Sequence, residues 1–426
     1  MSYSAFLAAK RQRVGDAGRI IDPNDLHPSL FPFQRSIVEW AARKGRAAIF
    51  ADCGLGKSRM QLEWARLVST RALIVAPLSV ARQTVREAKS IGVDLRYVRD
   101  GLDVTADGLW ITNYEMVERF DPAMFDAVVL DESSILKNVD GKTRMMLTAA
   151  FAETPLHLAC TATPAPNDVA ELANHAEFLG VMPRNEMLAA YFTHDDEGWR
   201  LKGHAAEPMY EWMATWAMAL RRPSDLGFSD LGYDLPPLAI VPEIVRSEVD
   251  APGQFFATSL GGVGGRATVR RATLSARVER TVNLATGPGQ WIVWCGLNDE
   301  AVGCAARIRG ALNVEGSWAP ERKAEALEAF QDGEVRVLVT KPSIAGFGMN
   351  FQNCSQMAFL GLSDSYEAYY QCIRRCYRFG QREPVTAHVV LSELEAQIAE
   401  NVQRKEREAH AVTSALVAHA RKAIAT

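Results

Sequence analysis

The sequence AIFADCGLGKSRMQ, residues 48–61, combines an apolar run, a turn with two glycines and a Lys-Ser pair that opens a helical pattern. Such a strand–turn–helix unit points backbone N–H groups at phosphate oxygens, and the helix N-terminus adds positive potential. Lys57 would reach the β- and γ-phosphates of a nucleotide, and the Ser58 hydroxyl would bind Mg²⁺. Gly54 and Gly56 would let the backbone approach the phosphates closely. The sequence therefore predicts a phosphate-binding loop.

A second chemical signal is DAVVLDESSILKN, residues 126–138, in which an apolar strand ends in Asp131 and Glu132. A carboxylate at the end of a strand beside a phosphate loop is placed to hold Mg²⁺. The adjacent Glu132 would polarise the water that attacks the phosphate. Taken alone, the pair also fits a solvated helix cap, and its combination with the phosphate loop favours the catalytic interpretation.

A third signal is QCIRRCYRFGQ, residues 371–381. Arg375 and Arg378 are three positions apart, so on a helix they share one face. Guanidinium groups stabilise the charge of a transferring phosphoryl group. The alternative is a solvated basic helix, and the catalytic interpretation requires a site assembled from two domains.

The first half of the chain alternates apolar, strand-like runs with helical stretches. Its runs are AAIFA (47–51), ALIVAP (72–77), GLWITN (108–113), AVVLDES (127–133) and HLACTATP (157–164). A second series consists of QWIVWCG (290–296), VRVLVT (335–340), QMAFLG (356–361) and TAHVVL (386–391). This alternation predicts an α/β fold with doubly wound parallel sheets whose strands are buried on both faces.

The segment between the two series, residues 185–233, has three tryptophans and several Met and Tyr residues but no strand-like alternation. It is therefore interpreted as a helical insertion. The C-terminal part, from about residue 394 to 425, has the pattern of a long, charged, amphipathic helix.

Composition sets wide limits on the kind of protein. With 426 residues, 48% of them hydrophobic and 23% charged, the chain is expected to form two or three globular domains. It has no apolar run of the roughly 18 residues that a membrane span requires. The seven cysteines include no CxxC pair and are expected to be reduced, buried thiols. The net charge of −4 neither favours nor excludes a nucleic-acid partner.

The three signals belong to a longer, ordered set of motifs, and this set resembles the superfamily-two helicases, within them the Swi/Snf-type DNA-dependent ATPases and translocases. The resemblance covers roughly residues 28–405. The further motifs are LFPFQRSIVEWA (30–41), LIVAPLSVARQTVRE (73–87), ITNYEMV (111–117), TATP (161–164), LRRPSDL (220–226), VEGSWAPERKAEALEAF (314–330), GFGMNFQ (346–352) and SELEAQIAE (392–400). LRRPSDL, followed by LPP (235–237), is the part that resembles the Swi/Snf type specifically.

The resemblance implies two RecA-like, doubly wound parallel-sheet lobes with a helical insertion between them. The implied bounds are 1–184 for the ATP-binding lobe, 185–240 for the insertion and linker, 241–405 for the second lobe, and 406–426 for a C-terminal helix. ATP and Mg²⁺ are the implied cofactors.

The resemblance also implies roles for individual residues at the nucleotide. Lys57, Asp131, Glu132, Arg375 and Arg378 would be catalytic, with Arg378 as the arginine finger. Gln34 would recognise adenine. The other implied ATP-binding residues are Gly54, Gly56, Ser58, Gly348 and Gln371, and Ser58 and Asp131 would hold the metal.

Another set of positions would contact the nucleic-acid backbone or couple it to hydrolysis. These residues are Pro77, Ser79, Thr112, Asn113, Thr161, Thr163, Ser317, Ser343 and Asn350.

Four positions depart from the family pattern. Ala51 stands where the phosphate loop usually begins with glycine. Ser134 ends the sequence DESS, where the family usually has DEAH or DEAQ and therefore histidine or glutamine. Ser343 replaces a common basic residue, and Arg374 a common acidic one. We therefore expect coupling between the lobes and one DNA contact to differ from the family pattern, whereas every group required for hydrolysis is present.

The leading hypothesis is an ATP-dependent translocase on double-stranded DNA with little sequence preference. The alternatives are a strand-separating helicase on DNA or RNA, and an ATP-clamped scaffold with little turnover. We expect a minimal, monomeric motor of bacterial or phage type, working alone or with a protein that targets it. The expected location is intracellular, in the cytoplasm, on the nucleoid or in the host cell of a virus, with no membrane partner.

Overall fold

The computed structural model describes residues 14–138, 141–196, 198–246, 270–346, 349–361 and 365–424. The chain divides into two compact units. The first is formed by the residues up to Tyr233 together with those from Arg407 onward, and the second by Asp234–Glu406. No helix among the described residues is long and apolar enough to cross a membrane.

The first unit is built on a seven-stranded, all-parallel sheet with the strand order β3-β4-β2-β5-β6-β1-β9. Its strands are β1 (Arg46–Ala51), β2 (Arg71–Ala76), β3 (Leu95–Tyr97), β4 (Gly108–Asn113), β5 (Ala127–Asp131), β6 (Leu156–Cys160) and β9 (Ala217–Leu220). An antiparallel hairpin adds β7 (Phe192–Asp195) and β8 (Gly198–Leu201). The helices are α1 (Pro32–Lys44), α2 (Lys57–Val68), α3 (Leu78–Ser90), α4 (Lys142–Ala150), α5 (Leu172–Phe178), α6 (Arg184–Tyr191) and α7 (Ala206–Met213).

The central strands of this sheet are buried on both faces. Every residue of β5 and β6 is buried, as are five of the six residues of β1, β2 and β4. Residues of β1 alternate between two hydrophobic clusters, with Ala48 and Phe50 in one and Ala47 and Ile49 in the other. This is the arrangement expected of a parallel sheet covered by helices on both sides, so the predicted fold class is confirmed.

The segment predicted to be a helical insertion, 185–240, is not entirely helical. It contains the β7–β8 hairpin, and Ala217–Leu220 forms β9, which pairs in parallel with β1 at the edge of the main sheet. The sequence AMAL has no β-branched residue and follows Met and Trp residues at helical spacing, so its pattern indicated a helix. Tertiary pairing with β1 overrides that local preference.

The second unit has a six-stranded, all-parallel sheet with the strand order β10-β15-β14-β11-β13-β12. Its strands are β10 (Leu238–Val245), β11 (Trp291–Cys295), β12 (Ala311–Asn313), β13 (Val337–Thr340), β14 (Gln356–Leu360) and β15 (Val385–Ser392). Its helices are α8 (Leu274–Leu284), α9 (Asn298–Arg307), α10 (Pro320–Gln331), α11 (Pro342–Ala345) and α12 (Tyr366–Cys376). A last helix, α13, spans Ala396–Ile424, and its residues from Arg407 belong to the first unit.

A buried ion pair joins two helices of the second unit. Arg277 on α8 and Glu300 on α9 are both fully buried, with Arg277 Nη1 2.6 Å from Glu300 Oε1. The other carboxylate oxygen of Glu300 accepts hydrogen bonds from the backbone N–H groups of Gly296 and Leu297 at 2.8 and 2.9 Å. The pair therefore fixes the start of α9 against α8.

We predict that Arg277→Met lowers the free energy of unfolding of the second unit by about 3–5 kcal/mol, because it leaves the Glu300 carboxylate buried without its cation. The matched control is Arg280→Met on the same helix. Arg280 pairs with Glu243 at 2.6 Å, but its side chain is 45% exposed, so the expected loss is below about 1 kcal/mol. Equal losses in urea unfolding of the two variants would contradict the prediction.

Candidate active site

Three neighbouring strands of the first sheet, β5, β6 and β1, bring the predicted catalytic segments to one edge. β6 pairs with both of its neighbours, so that Cys160 lies opposite Asp131 on one side and Ile49 on the other. Because all three strands are parallel, their carboxyl ends meet at the same edge of the sheet. The phosphate loop follows β1, Asp131 ends β5 and Thr161 follows β6.

The phosphate loop has the backbone geometry that its two glycines permit. Gly54 and Gly56 have φ angles of 87° and 79°, in the left-handed region. Gly56 is the residue that precedes the first turn of α2. Lys57 Nζ donates to the carbonyl of Ala51 at 2.8 Å, inside the loop. The lysine that would contact the phosphates thus begins α2, and its ammonium group lies against the last residue of β1.

The backbone at the start of the loop is held by β9. The N–H of Asp52 donates to the carbonyl of Leu220 at 3.0 Å, continuing the pairing of β1 with β9. The segment that was predicted to be an insertion therefore supports the phosphate loop directly.

Gln34 packs against the phosphate loop, and its amide is bonded to two backbone groups. Its Oε1 accepts from the N–H of Phe31 at 3.0 Å, and its Nε2 donates to the carbonyl of Leu55 at 2.9 Å. The side chain is 2% exposed. In this state the amide holds the loop, and recognition of adenine by Gln34 stays a prediction that would require these bonds to change.

An aromatic cluster adjoins Gln34, and one of its members, Tyr233, lies outside the sequence motifs. The rings of Phe31 and Phe33 each meet the ring of Tyr233 edge-on, with centroids 5.4 Å apart. Tyr233 lies about 200 residues away in the sequence, so no local pattern pointed to it. Flat aromatic surfaces beside a phosphate loop suit contact with a nucleobase.

Asp131 is buried at the end of β5, with 3% of its surface exposed. Gln61 on α2 donates its Nε2 to Asp131 Oδ2 at 2.8 Å, and the N–H of Glu132 donates to Oδ1 at 3.0 Å. Burial raises the pKa of the Asp131 carboxyl, an effect that the Gln61 hydrogen bond and the positive charge of Lys57 oppose. A positive group and an amide donor thus favour the ionised form that a metal needs.

The oxygen atoms at this edge suit Mg²⁺, which prefers carboxylate, hydroxyl and water ligands. Asp131 offers a carboxylate, and Ser58 a hydroxyl at the start of α2. The Oε1 atom of Gln61 is buried, and the described part of the chain offers it no hydrogen-bond partner. An acceptor of that kind beside a carboxylate suits a water bound to a cation. When bound, Mg²⁺ would neutralise phosphate charge at this edge.

Glu132 has a φ of 55°, and among the described residues it is the one non-glycine residue with positive φ. It precedes a 3₁₀ turn, Ser133–Lys137. Ser133 Oγ lies 3.1 Å from Nε2 of His175 on α5, and both side chains are fully buried. Burial lowers the pKa of His175 to about 4, so the imidazole is neutral at neutral pH. His175 therefore contacts the turn that follows Glu132, although its spacing in the sequence did not predict this contact.

The predicted contacts to nucleic acid in the first unit fall into two groups. Thr112 and Thr161 are fully buried, and Asn113 and Thr163 are each 4% exposed. Tyr97 donates its hydroxyl to Asn113 Oδ1 at 2.7 Å. These four residues lie inside the unit, so in this state none presents a surface to a nucleic acid; Pro77 and Ser79, at the start of α3, are partly exposed.

Arg375 and Gln371 in the second unit are joined by a buried hydrogen bond. Arg375 Nη2 donates to Gln371 Oε1 at 2.6 Å, and its Nη1 donates to the carbonyl of Met349 at 3.0 Å. The two side chains are 5% and 0% exposed. Arg375 therefore holds α12 to the backbone at Met349. This contact favours a structural role for Arg375 over direct contact with a nucleotide.

Arg378 lies just beyond the end of α12 and is only partly buried. Its Nη1 donates to Oδ1 of Asn350, so two predicted functional residues are in contact. Gly348, predicted to bind ATP, lies outside the described residues. Of the two arginines, Arg378 is the better placed to reach a ligand.

Ser317 and Ser343, predicted to contact the nucleic-acid backbone, both lie in the second unit, Ser317 in the loop after β12 and Ser343 in the short helix α11. They follow β12 and β13, which are neighbours in the sheet, and both are exposed. A Cβ added to Gly316 would be 4.0 Å from Cδ1 of Ile344, so the residues next to the two serines lie near each other. The sheet therefore presents both serines at one edge.

Residues 285–380 match the family model of the helicase conserved C-terminal domain. The matched segment contains Asn350, Gln371, Arg375 and Arg378. A search of the curated proteins found no match. Among solved structures, the chain is similar to the Sulfolobus solfataricus SWI2/SNF2 ATPase core in complex with dsDNA. The identity is 17%, the similarity covers 94% of this chain and 96% of that chain, and the TM-score is 0.45.

We predict that Gly56→Ala weakens nucleotide binding at least about tenfold, because the left-handed backbone costs a side chain about 1–2 kcal/mol and the loop must also move. The new Cβ would lie 2.3 Å from Gln34 Nε2. The control is Gly92→Ala, since Gly92 has a φ of 74° but no atom within 4 Å of the added Cβ. Titration with a fluorescent ADP analogue should show normal binding for the control, and an unchanged affinity in Gly56→Ala would contradict the prediction.

The pH dependence of stability should carry a contribution from Glu171, which precedes α5. Its carboxylate accepts from the N–H and the Nδ2 of Asn167 at 3.2 and 2.9 Å, and burial raises its pKa from 4.5 to about 7. A carboxyl with a raised pKa binds more protons in the folded state, so its contribution is complete below pH 4.5 and is lost as the pH rises through about 7. Glu171→Gln should flatten the fall in melting temperature between pH 5 and 8, and an unchanged slope would contradict this assignment.

Proposed function

We propose that this chain, which carries a helicase conserved C-terminal domain at residues 285–380, is an ATP-driven motor that moves on double-stranded DNA. The observation that carries the proposal is the meeting of Lys57, Asp131 and Glu132 at one edge of the first sheet. Lys57 begins α2 and donates to the carbonyl of Ala51 at the end of β1. Asp131 is buried nearby, where burial raises its pKa and the positive charge of Lys57 lowers it. An ATPase needs this combination of phosphate loop, metal-binding carboxylate and adjacent carboxylate.

In the proposed mechanism the first unit holds ATP and Mg²⁺. Lys57 would leave the carbonyl of Ala51 and contact the phosphates, and Asp131 and Ser58 would hold the cation. Glu132 would orient the attacking water. The chemistry that bound Mg²⁺ would supply is neutralisation of charge on the phosphate oxygens.

The second unit would contribute Arg378 when the two lobes close on the nucleotide. Its partial exposure and its bond to a side-chain acceptor, Asn350, support this choice over the buried Arg375. Alternating closure and opening would move the two units along the DNA backbone. The choice of double-stranded DNA rests on the Swi/Snf-like segments LRRPSDL and LPP in the sequence.

We predict that the purified protein hydrolyses ATP, that duplex DNA stimulates the hydrolysis, and that Lys57→Ala and Arg378→Ala each lower the stimulated rate by about 10³-fold. The exposed Arg382→Ala, four residues from Arg378, is the control for lost positive charge and should retain the stimulated rate. Hydrolysis that is indifferent to added DNA would contradict the motor, and a normal rate in Arg378→Ala would contradict the finger assignment.

The same preparation separates the proposed translocase from a strand-separating helicase. A translocase on duplex DNA should displace the third strand of a triplex while leaving a forked duplex paired. Displacement of the paired strand from the fork would instead assign the protein to the helicases that unwind.

A further inference from the structure

Helix α5 presents two consecutive buried polar residues, Asn174 and His175, to the turn that follows Glu132. His175 bonds with Ser133, the first residue of the 3₁₀ turn. Asn174 Nδ2 donates to the carbonyls of Leu136 and Lys137, at the end of the same turn, at 2.8 and 3.3 Å. Both ends of the turn are therefore held by one helix.

Asn174 is itself fixed from its other side. Its Oδ1 accepts from Nε of Arg184, on α6, at 3.0 Å. Asn174 and His175 are both fully buried, so neither can exchange these partners for water at low cost. The two side chains form a rigid support rather than a surface contact.

The turn needs such support because Glu132 adopts a left-handed backbone conformation. A non-glycine residue in this region is strained, and the conformation persists only where its surroundings impose it. The N–H of Glu132 donates to its neighbour Asp131, but that bond does not fix the residues that follow. Before Glu132, the Tyr114 hydroxyl donates to the carbonyl of Asp131 at 2.7 Å, and directly after it Ser133 bonds with His175.

His175 also contacts the strand that leads into the phosphate loop. Its ring meets the ring of Phe50 edge-on, with centroids 5.2 Å apart. Phe50 directly precedes Ala51, whose carbonyl accepts from Lys57. One buried imidazole thus touches both β1, before the phosphate loop, and the turn after Glu132.

We propose that His175 is a positioning residue for ATP hydrolysis, which through its hydrogen bond to Ser133 holds the backbone of Glu132 in the conformation that directs its carboxylate to the attacking water. The proposal rests on the proposed function. His175 touches no nucleotide in this scheme. Ser133, the first serine of the DESS sequence, thus bonds the turn after Glu132 to α5.

The test compares His175→Leu, which keeps the packing volume but removes the hydrogen bond, with His175→Gln, whose amide can restore it. His175→Leu should lower kcat by about 10- to 100-fold, because a small displacement of a catalytic group has effects of this size. The affinity for a fluorescent ADP analogue with Mg²⁺ should stay within about threefold of wild type, since the phosphate loop is intact. His175→Gln should recover most of kcat.

The matched control is His157→Leu. His157 is another fully buried histidine of the same unit, and its ring contacts the backbone carbonyls of Phe151 and Phe178 near the amino end of β6. This variant also loses buried hydrogen bonds and should lower the melting temperature, but it should retain kcat within about threefold. Equal kcat losses in the two Leu variants would reduce His175 to a structural role and overturn the proposal.

A double-mutant cycle tests the path through Ser133. Ser133→Ala should reproduce the loss of kcat, and adding His175→Leu should lower it little further, because both changes remove the same bond. If the loss of kcat in the double variant equals the product of the two single losses, the proposal is overturned. Ser133→Ala removes a single oxygen and keeps the test valid if His175→Leu does not fold.

NMR can detect the hydrogen bond between His175 and Ser133 in the protein without any bound ligand. In protein labelled with ¹⁵N-histidine, the Nε2 resonance that disappears in His175→Gln should shift in Ser133→Ala, while the resonances of His157 stay in place. An unshifted resonance would overturn the proposed bond. Glu132→Gln distinguishes failure of the positioning role from failure of the proposed function. If Glu132→Gln abolishes hydrolysis but His175→Leu leaves hydrolysis unimpaired, only the positioning role fails. If Glu132→Gln hydrolyses ATP normally, the proposed function and this inference fail together.

Discussion

The adjacency of three parallel strands, β5, β6 and β1, is the constraint on which the candidate site depends. Hydrogen bonding fixes the register, with Cys160 opposite both Asp131 and Ile49. The phosphate loop, the carboxylates and the segment after β6 come from distant parts of the sequence, and only this pairing brings them together. Substitutions that disturb the pairing should therefore affect all three segments at once.

The groups at this edge are held in place by polar contacts that are themselves buried. Gln34 and β9 support the phosphate loop, Gln61 bonds Asp131, and α5 holds the turn after Glu132. A buried hydrogen bond is costly to break, so each contact fixes one chemical group with little freedom. The result is a preorganised edge in which Lys57 is the long, flexible side chain. In the second unit, Arg375 is likewise fixed by buried hydrogen bonds to Gln371 and Met349, whereas Arg378 is partly exposed.

The sequence predicted the features that depend on local pattern. The predicted phosphate loop was recognisable because two glycines and a Lys-Ser pair have few other uses. The apolar runs form strands within two residues of their predicted bounds, except that HLACTATP (157–164) ends as a strand at Cys160. The match to the helicase conserved C-terminal domain, residues 285–380, covers GFGMNFQ (346–352) and all but the last residue of QCIRRCYRFGQ (371–381). These features share a short range: each can be recognised within about a dozen residues.

What the sequence did not reveal depends on tertiary pairing. β9 has only four residues and no β-branched side chain, and it becomes a strand because β1 offers an open edge. Gln61 and His175 look like ordinary helix residues until the fold places them against Asp131 and Ser133. The buried positions of Thr112 and Thr161 were missed for a related reason, since a threonine at a strand end gives no sign of which side it faces.

The central claim is that ATP hydrolysis moves this protein along duplex DNA. The most direct measurement is the hydrolysis rate at saturating, equal concentrations of base pairs, given as short linear duplexes, long linear duplexes and closed circles at one salt concentration. A moving protein leaves short duplexes at their ends and must rebind, so the rate should rise with duplex length and be highest on the circles. A rate independent of length and topology would show that hydrolysis is not coupled to movement and would contradict the account.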